Sequence, residues 1–305
     1  VTPGLDVTIA GVRLNNPVMT ASGCSGYGEE LSQVIPLSTL GAFVTKTITP
    51  EVRLGHPPPR TAETASGMLN AIGLANVGID AFIEEKLPFL EKQNTAVVVN
   101  IGGKTVDDYA YLCERLSQYE QIDLIELNLG CPNVKEGGME FSSHPPLTEK
   151  TVRAARKASR HPIIAKLTPN VTDITATAKA AEQGGADALS LINSMVGMSV
   201  DTDTWRPTLT FNRGGLTGPA IKPIALAKVD SVYNACSLPI IGIGGIATYR
   251  DVIEFLLVGA TAVQIGTALF IEPDAPVKIL KGLKEYLTQH KIKHVTELIG
   301  KVRKY

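Results

Sequence analysis

Eight short apolar runs recur along the chain, at 17–21, 42–48, 96–101, 124–129, 163–167, 188–193, 239–244 and 262–267, each ending in small or polar residues. Amphipathic stretches with helical spacing separate most of them, for example 106–119, 149–159, 174–183, 221–236 and 249–258. Continuously apolar strands set between helices are the mark of parallel strands buried on both faces. Eight such units predict an α/β protein built as a (β/α)8 TIM barrel, with a doubly wound sheet as the second choice. The 305 residues suit one such unit, so a single barrel domain is expected over 1–305. Before the first run, residues 5–14 alternate and turn at Ala10-Gly11, which predicts a short N-terminal hairpin.

Composition narrows the function classes. A net charge of −1 marks neither a nucleic-acid surface nor a membrane surface. The 28 glycines and 19 prolines are scattered, as turns between many elements would have them. No apolar run approaches the ~18 residues that span a bilayer, and no charged-then-apolar leader opens the sequence, so a cytoplasmic location is expected. Cys24, Cys113, Cys131 and Cys236 have no metal-ligand spacing and are read as thiols in a reducing compartment. His290 and His294 stand four apart in a Lys-rich C-terminal helix, where a solvated face is the reading. No metal is expected.

In a barrel the chemistry gathers at the C-terminal ends of the strands. Those ends carry Ser22-Gly23, Lys46-Thr47, Asn100, Asn128 with Cys131, Lys166, Asn193-Ser194, Gly244-Gly245 and Gly266-Thr267. The oddest stretch is Asn128-Leu129-Gly130-Cys131-Pro132-Asn133-Val134. Its amides can hold a planar polar ligand by the edges, and its thiol can take a proton. Gly130 and Pro132 fix a backbone able to aim the sulfur away from the core. The competing reading is a buried structural cysteine, the usual role of an unpaired thiol.

Long βα loops are expected after strands 2, 4 and 6. The second spans 49–77 and the sixth 195–219, lengths typical of segments that cover a site. Within the first, Asn70-Ala71-Ile72-Gly73-Leu74 offers an amide, and Gly73 would let backbone N–H groups approach a ligand. The other holds a small hairpin around Trp205-Arg206-Pro207 and ends in Gly214-Gly215-Leu216-Thr217-Gly218-Pro219.

Gly218 precedes a helix, Gly244-Gly245 follows strand 7 and Gly266-Thr267 follows strand 8. Glycines there expose backbone N–H groups at helix mouths, where an anion is favoured. This is the usual phosphate site of barrel enzymes, open to a phosphorylated substrate or a phosphate-tailed cofactor. The remaining rim favours a cofactor. Lys166 suits the pyrimidine edge of a flavin, where negative charge develops on reduction, and Asn100 and Asn128 suit its ring. No GxGxxG follows a strand, so Rossmann-type dinucleotide binding is not expected.

With these residues in view, the chain resembles the class 1 dihydroorotate dehydrogenases, most of all the B-type catalytic subunit. The resemblance runs essentially end to end. Its most specific parts are 128–134 with Lys135-Glu136-Gly137-Gly138, the 70–74 loop with Gly67-Met68-Leu69 before it, Lys46-Thr47, Lys166-Leu167-Thr168-Pro169-Asn170, Asn193-Ser194 and Gly244-Gly245-Ile246. The resemblance implies FMN held by Ser22, Lys46, Thr47, Asn100, Asn128, Lys166, Ile192, Gly218, Gly244, Gly245, Gly266 and Thr267. It implies an orotate site at Lys46, Asn70, Ala71, Ile72, Gly73, Leu74, Asn128, Asn133, Asn193 and Ser194, with Cys131 as the base.

The same resemblance implies oxidation of dihydroorotate to orotate in pyrimidine (UMP) biosynthesis. In the B-type, electrons pass to NAD through a partner subunit carrying FAD and an iron–sulfur cluster, in a heterotetramer of two chains of each kind. Class 2 enzymes use a serine base and an N-terminal extension that reaches a membrane quinone. The fumarate-linked A-type tends to have Asn-Ser-Met-Gly where this chain has Asn70-Ala71-Ile72-Gly73. Other readings are an A-type enzyme, a dehydrogenase for another dihydropyrimidine, a flavin-free phosphosugar lyase or isomerase, and a non-catalytic scaffold. Two segments depart from the family pattern. Residues 140–146 read as a polar covering segment, and Cys24 as a small buried side chain.

Overall fold

The computed structural model describes residues 2–132, 138 and 140–305. Among these residues, eight parallel strands close into a barrel in chain order. They are β1 (Val18–Thr20), β2 (Ala42–Val44), β3 (Ala96–Ile101), β4 (Leu124–Asn128), β5 (Ile163–Leu167), β6 (Ala188–Leu191), β7 (Ile240–Ile243) and β8 (Ala262–Ile265). Closure comes from β8 pairing with β1, Val263 opposite Val18 and Ile265 opposite Thr20. Apart from Ala96, every residue of these strands is buried, as strands covered on both faces require. The strands are shorter than the apolar runs because several runs continue past the last ladder bond into the loops above.

The helices lie outside the strands. Val106–Leu116 begins with a capping box between Thr105 and Asp108 and turns Tyr109, Leu112, Cys113 and Leu116 inward. The next helix, Pro145–Ala158, starts four residues earlier than its apolar pattern suggests. Its two prolines sit in the first turn, where a missing N–H leaves no bond unmade. Ile174–Gly184, Lys222–Tyr233 and Tyr249–Leu257 follow β5, β6 and β7. Between β1 and β2 the crossover holds only the 3₁₀ turns Leu31–Gln33 and Leu37–Thr39.

Val7–Ile9 and Val12–Leu14 form the expected N-terminal hairpin, with Ala10 and Gly11 both at positive φ as a two-residue turn of this hand requires. The pair Val200–Asp201 and Arg206–Pro207 forms the small hairpin expected around Trp205. The loops after β2 and β6 do more than cover the mouth separately. They pair with each other in a four-stranded antiparallel sheet, Met195–Gly197, Gly214–Thr217, Gly67–Asn70 and Thr61–Thr64 in that order. Leu69, Ala71 and Leu209 give this cap a small core of its own.

Candidate active site

The side chains at the mouth are linked laterally. Ser22, just past β1, and Thr47, past β2, have their hydroxyls 3.3 Å apart. Asn128, the last residue of β4, donates through Nδ2 to Thr47 Oγ1 at 3.2 Å. Its Oδ1 accepts from Asn193 Nδ2 at 2.9 Å, and Asn193 Oδ1 accepts the Ser194 N–H at 2.9 Å. One polar chain thus joins the ends of β1, β2, β4 and β6. Asn170 extends it, donating to the Ser194 carbonyl at 3.0 Å and accepting the Val196 N–H at 2.9 Å.

Cys131 is buried beside this chain, on a loop clamped from below. Tyr109 donates its hydroxyl to the Asn128 carbonyl at 2.9 Å, and burial raises its pKa, keeping it a donor. Phe141 packs edge-on against Tyr109, and Ser142 Oγ accepts the Thr168 N–H at 2.7 Å. Phe141 and Ser142 are both buried, which corrects the reading of 140–146 as a polar cover. The segment is instead a support, because an aromatic and a satisfied hydroxyl fill the space under the cysteine loop.

Lys46 shares the charge environment of Cys131. Burial lowers its pKa; negative charge at Cys131 and Cys24 opposes that shift, and Arg60 adds to it. Cys24 packs against the core beside Gly266, a Cβ at which would lie 3.3 Å from its sulfur. Burial pushes the Cys24 thiol up, against the pull of Lys166 and Lys46. Cys24 is therefore at the mouth, near both lysines.

The cap brings in the 70–74 loop. Asn70 donates to the Gly215 carbonyl at 3.2 Å, and a Cβ on Gly215 would collide with Ser194 and lie 3.4 Å from Pro132. Asn70, Ser194 and the cysteine loop therefore converge. Ala71 is buried, and the Ile72 carbonyl accepts the His56 N–H at 3.0 Å. Leu74, at positive φ, reaches over Gly102. Gly73 has positive φ and also packs closely against a neighbour. A Cβ there would meet the His56 ring at 2.7 Å, so the glycine admits a neighbouring ring. Asn133 and 134–137 lie outside the described residues.

Across the mouth, the glycines after β6, β7 and β8 meet. Gly245 has φ +74°, and a Cβ there would stand 2.7 Å from Lys222 Cβ and 2.9 Å from the Gly218 carbonyl oxygen. A Cβ on Gly218 would lie 3.4 Å from the Thr267 methyl. Gly244 faces Ile192, whose peptide bond with Leu191 is cis. Gly266-Thr267 leads into the one-turn helix Ala268–Ile271, an arrangement that barrel phosphate sites commonly use.

Below the mouth lies a second polar group that sequence reading missed. Glu126 of β4 has no exposed surface, and its carboxylate accepts from Asn100, Ser190, Gln264 and Lys166. Asn100 spends its Nδ2 on this bond, while its buried Oδ1 meets no partner among the described residues. The signal available was a glutamate inside the apolar run Leu-Ile-Glu-Leu, repeated in kind by Ser190 and Gln264.

The family model described as dihydroorotate dehydrogenase matches residues 4–287. The chain belongs to the dihydroorotate dehydrogenase family. It is 50% identical to the catalytic subunit of dihydroorotate dehydrogenase B (NAD(+)) of Citrifermentans bemidjiense, over 98% of each chain. The corresponding subunit of Alkaliphilus oremlandii is 51% identical, again over 98% of each. A crystal structure of DHODH from Eimeria tenella in complex with ferulenol shares the fold, with a TM-score of 0.82 over 98% of this chain and 88% of that one, at 24% identity.

Membership in the dihydroorotate dehydrogenase family makes the chain an oxidoreductase and implies a flavin. Among the described residues no helix is long and apolar enough to cross a membrane. His290 and His294 do not share a helix, correcting that expectation. The helix Ala275–Gln289 ends before both, His290 lies over Tyr286, and His294 sits between Asp6 and Thr296.

Proposed function

We propose that this chain is the catalytic subunit of an NAD-linked dihydroorotate dehydrogenase, oxidising dihydroorotate to orotate in pyrimidine biosynthesis. The observation that carries the reading is the linked set Thr47–Asn128–Asn193–Ser194 beside Lys46 and Cys131. Alternating amide and hydroxyl groups suit a pyrimidine ring, which presents N–H and C=O groups in turn. Lys46 supplies the charge for the substrate carboxylate. That charge separates this reading from one for an uncharged dihydropyrimidine.

Cys131 is the base for the C5 proton. An ordinary thiol ionises near about 8.5, and the Lys46 ammonium beside it supports the thiolate. The burial of Cys131 limits solvent access to the thiolate once it forms. Asn128 and Asn193 orient the ring through the second N–H and the second lone pair that each amide keeps beside these bonds, with Asn133 and the 70–74 loop closing the substrate side.

The flavin is FMN in this reading, and the residues present fit it. Asn100 Oδ1 is buried without a partner among the described residues, an acceptor suited to a ring N–H. Gly218, Gly245 and Gly266-Thr267 gather after β6, β7 and β8, next to the one-turn helix Ala268–Ile271, the place where barrel enzymes commonly hold a phosphate. Ser22, Lys46, Thr47, Asn128, Lys166, Ile192, Gly244, Gly266 and Thr267 complete the contacts. FMN, when bound, supplies the acceptor for the hydride that leaves C6. The whole of 1–305 is taken as one FMN-binding unit in the cytoplasm. Electrons reach NAD through a partner carrying FAD and an iron–sulfur cluster, two chains of each kind.

The test is the visible spectrum of the purified chain under anaerobic conditions, before and after dihydroorotate. The reading expects a yellow protein whose flavin band bleaches. A yellow protein that dihydroorotate leaves unchanged would overturn the substrate, and a colourless one that refuses added FMN would overturn the cofactor.

A further inference from the structure

The Glu126 network raises a question that barrel packing does not answer. Four donors from four other strands meet one carboxylate. Asn100 Nδ2 of β3 lies 2.6 Å from Oε1, and Lys166 Nζ of β5 lies 3.4 Å from it. Ser190 Oγ of β6 and Gln264 Nε2 of β8 lie 2.8 Å and 2.7 Å from Oε2. A carboxylate offers about four lone-pair directions, and all four are taken. Such a centre is expensive to bury, and apolar residues of similar volume would fill a barrel layer at least as stably. Two of the donors, Asn100 and Lys166, stand one residue short of the mouth ends of their strands.

We propose that Glu126 is a positioning residue for the flavin, fixing how Asn100 and Lys166 meet it and setting the charge the ring encounters. This rests on the FMN reading above. The carboxylate accepts only, so Asn100 must turn Nδ2 toward it and Oδ1 away, which is the orientation that leaves Oδ1 unpartnered. Without Glu126 nothing in the network selects that rotamer over its flip. Lys166 is tied to the same oxygen and, at 3.5 Å, to Gln264 Oε1. Its charge therefore acts on the ring together with an opposite charge one hydrogen bond away.

The test measures FMN affinity of the apo-protein and the two-electron midpoint potential of the bound flavin, with unfolding temperature as the control for the fold. Glu126→Gln keeps the shape, removes the negative charge and places an amide donor among donors. Its expected result is FMN bound at least tenfold more weakly. The oxidised/reduced equilibrium should move at least tenfold toward the reduced form, about 30 mV positive, because Lys166 is no longer offset. Ser190→Ala takes a donor from the carboxylate and should shift the potential the other way by about threefold, about 14 mV.

Both potentials unchanged, with affinity within twofold of the parent chain, would overturn the proposal and leave Glu126 as a brace for the barrel alone. If Glu126→Gln does not fold, the Ser190→Ala potential decides by itself: a negative shift supports the proposal and no shift overturns it. A parent chain that takes up no FMN would fail the functional reading instead, a result distinct from either.

Discussion

The two ends of the barrel use polar residues in opposite ways. At the base, where strands begin, side chains close off backbone donors one at a time. Asn16 Oδ1 accepts the Val18 N–H at 3.0 Å, Asp123 Oδ2 the Val97 N–H at 2.7 Å and Asp187 Oδ2 the Ile163 N–H at 2.8 Å. At the mouth, where strands end, Ser22, Thr47, Asn128 and Asn193 bond to one another, and Asn100 keeps a buried acceptor unspent. Polar groups consumed locally serve the fold; polar groups linked sideways with capacity left over serve a ligand.

That contrast predicts that damage at the mouth removes activity and spares stability, while damage at the base does the reverse. The largest effect should come from Cys131→Ala. Loss of the proposed general base should lower turnover about 10²–10⁴-fold, with flavin spectrum and unfolding temperature near those of the parent. Near-normal turnover in this variant would break the comparison at its functional end.

The base should give a stability effect of moderate size. Asp187 also pairs with Arg156 at 2.8 Å, and both side chains are about a third exposed. Asp187→Ala should therefore lose about 1–2 kcal/mol in denaturant unfolding, with turnover per folded chain unchanged. A fall in turnover without a fall in stability would show that the two ends are coupled.

The smallest effect concerns His161, buried at the base with Nε2 3.2 Å from the Leu116 carbonyl. Burial holds its pKa below the ordinary 6.5, outweighing the carbonyl's pull upward. The unfolded chain thus takes up a proton first as pH falls. Stability from this group is full above about 6.5 and is lost as pH drops from there through the lowered folded value. His161→Gln should flatten that part of a plot of unfolding temperature against pH, and an unchanged slope would remove the histidine from the account.

The barrel was legible because strands buried on both faces leave unbroken apolar runs, and the hairpin at Ala10-Gly11 because its turn chemistry is local. The cap sheet was not. Its central pairing sets Met68 opposite Thr217 and Asn70 opposite Gly215, and contacts between segments so far apart leave no periodicity in either one. Most of the mouth was legible as strand ends, since β-strand topology alone gathers them. What stayed hidden was depth. Glu126, Ser190 and Gln264 sit inside apolar runs, where a lone polar residue reads as an interruption until the closed barrel turns them toward one centre. The packing of His56 against Gly73 was hidden for a similar reason, since His56 comes to it through the fold of the loop.

The central claim is that Cys131 takes the substrate proton beside a charged Lys46. Its most direct test is the rate of flavin bleaching by limiting dihydroorotate in anaerobic single turnovers, followed from about pH 6 to 10.5. The rate should rise with pH as the Cys131 thiol ionises. It should then fall at alkaline pH, short of 10.5, because burial lowers the Lys46 pKa and its charge is lost earlier than in an exposed lysine. A rate flat across the thiol range, or the same rise in Cys131→Ala, would contradict the claim.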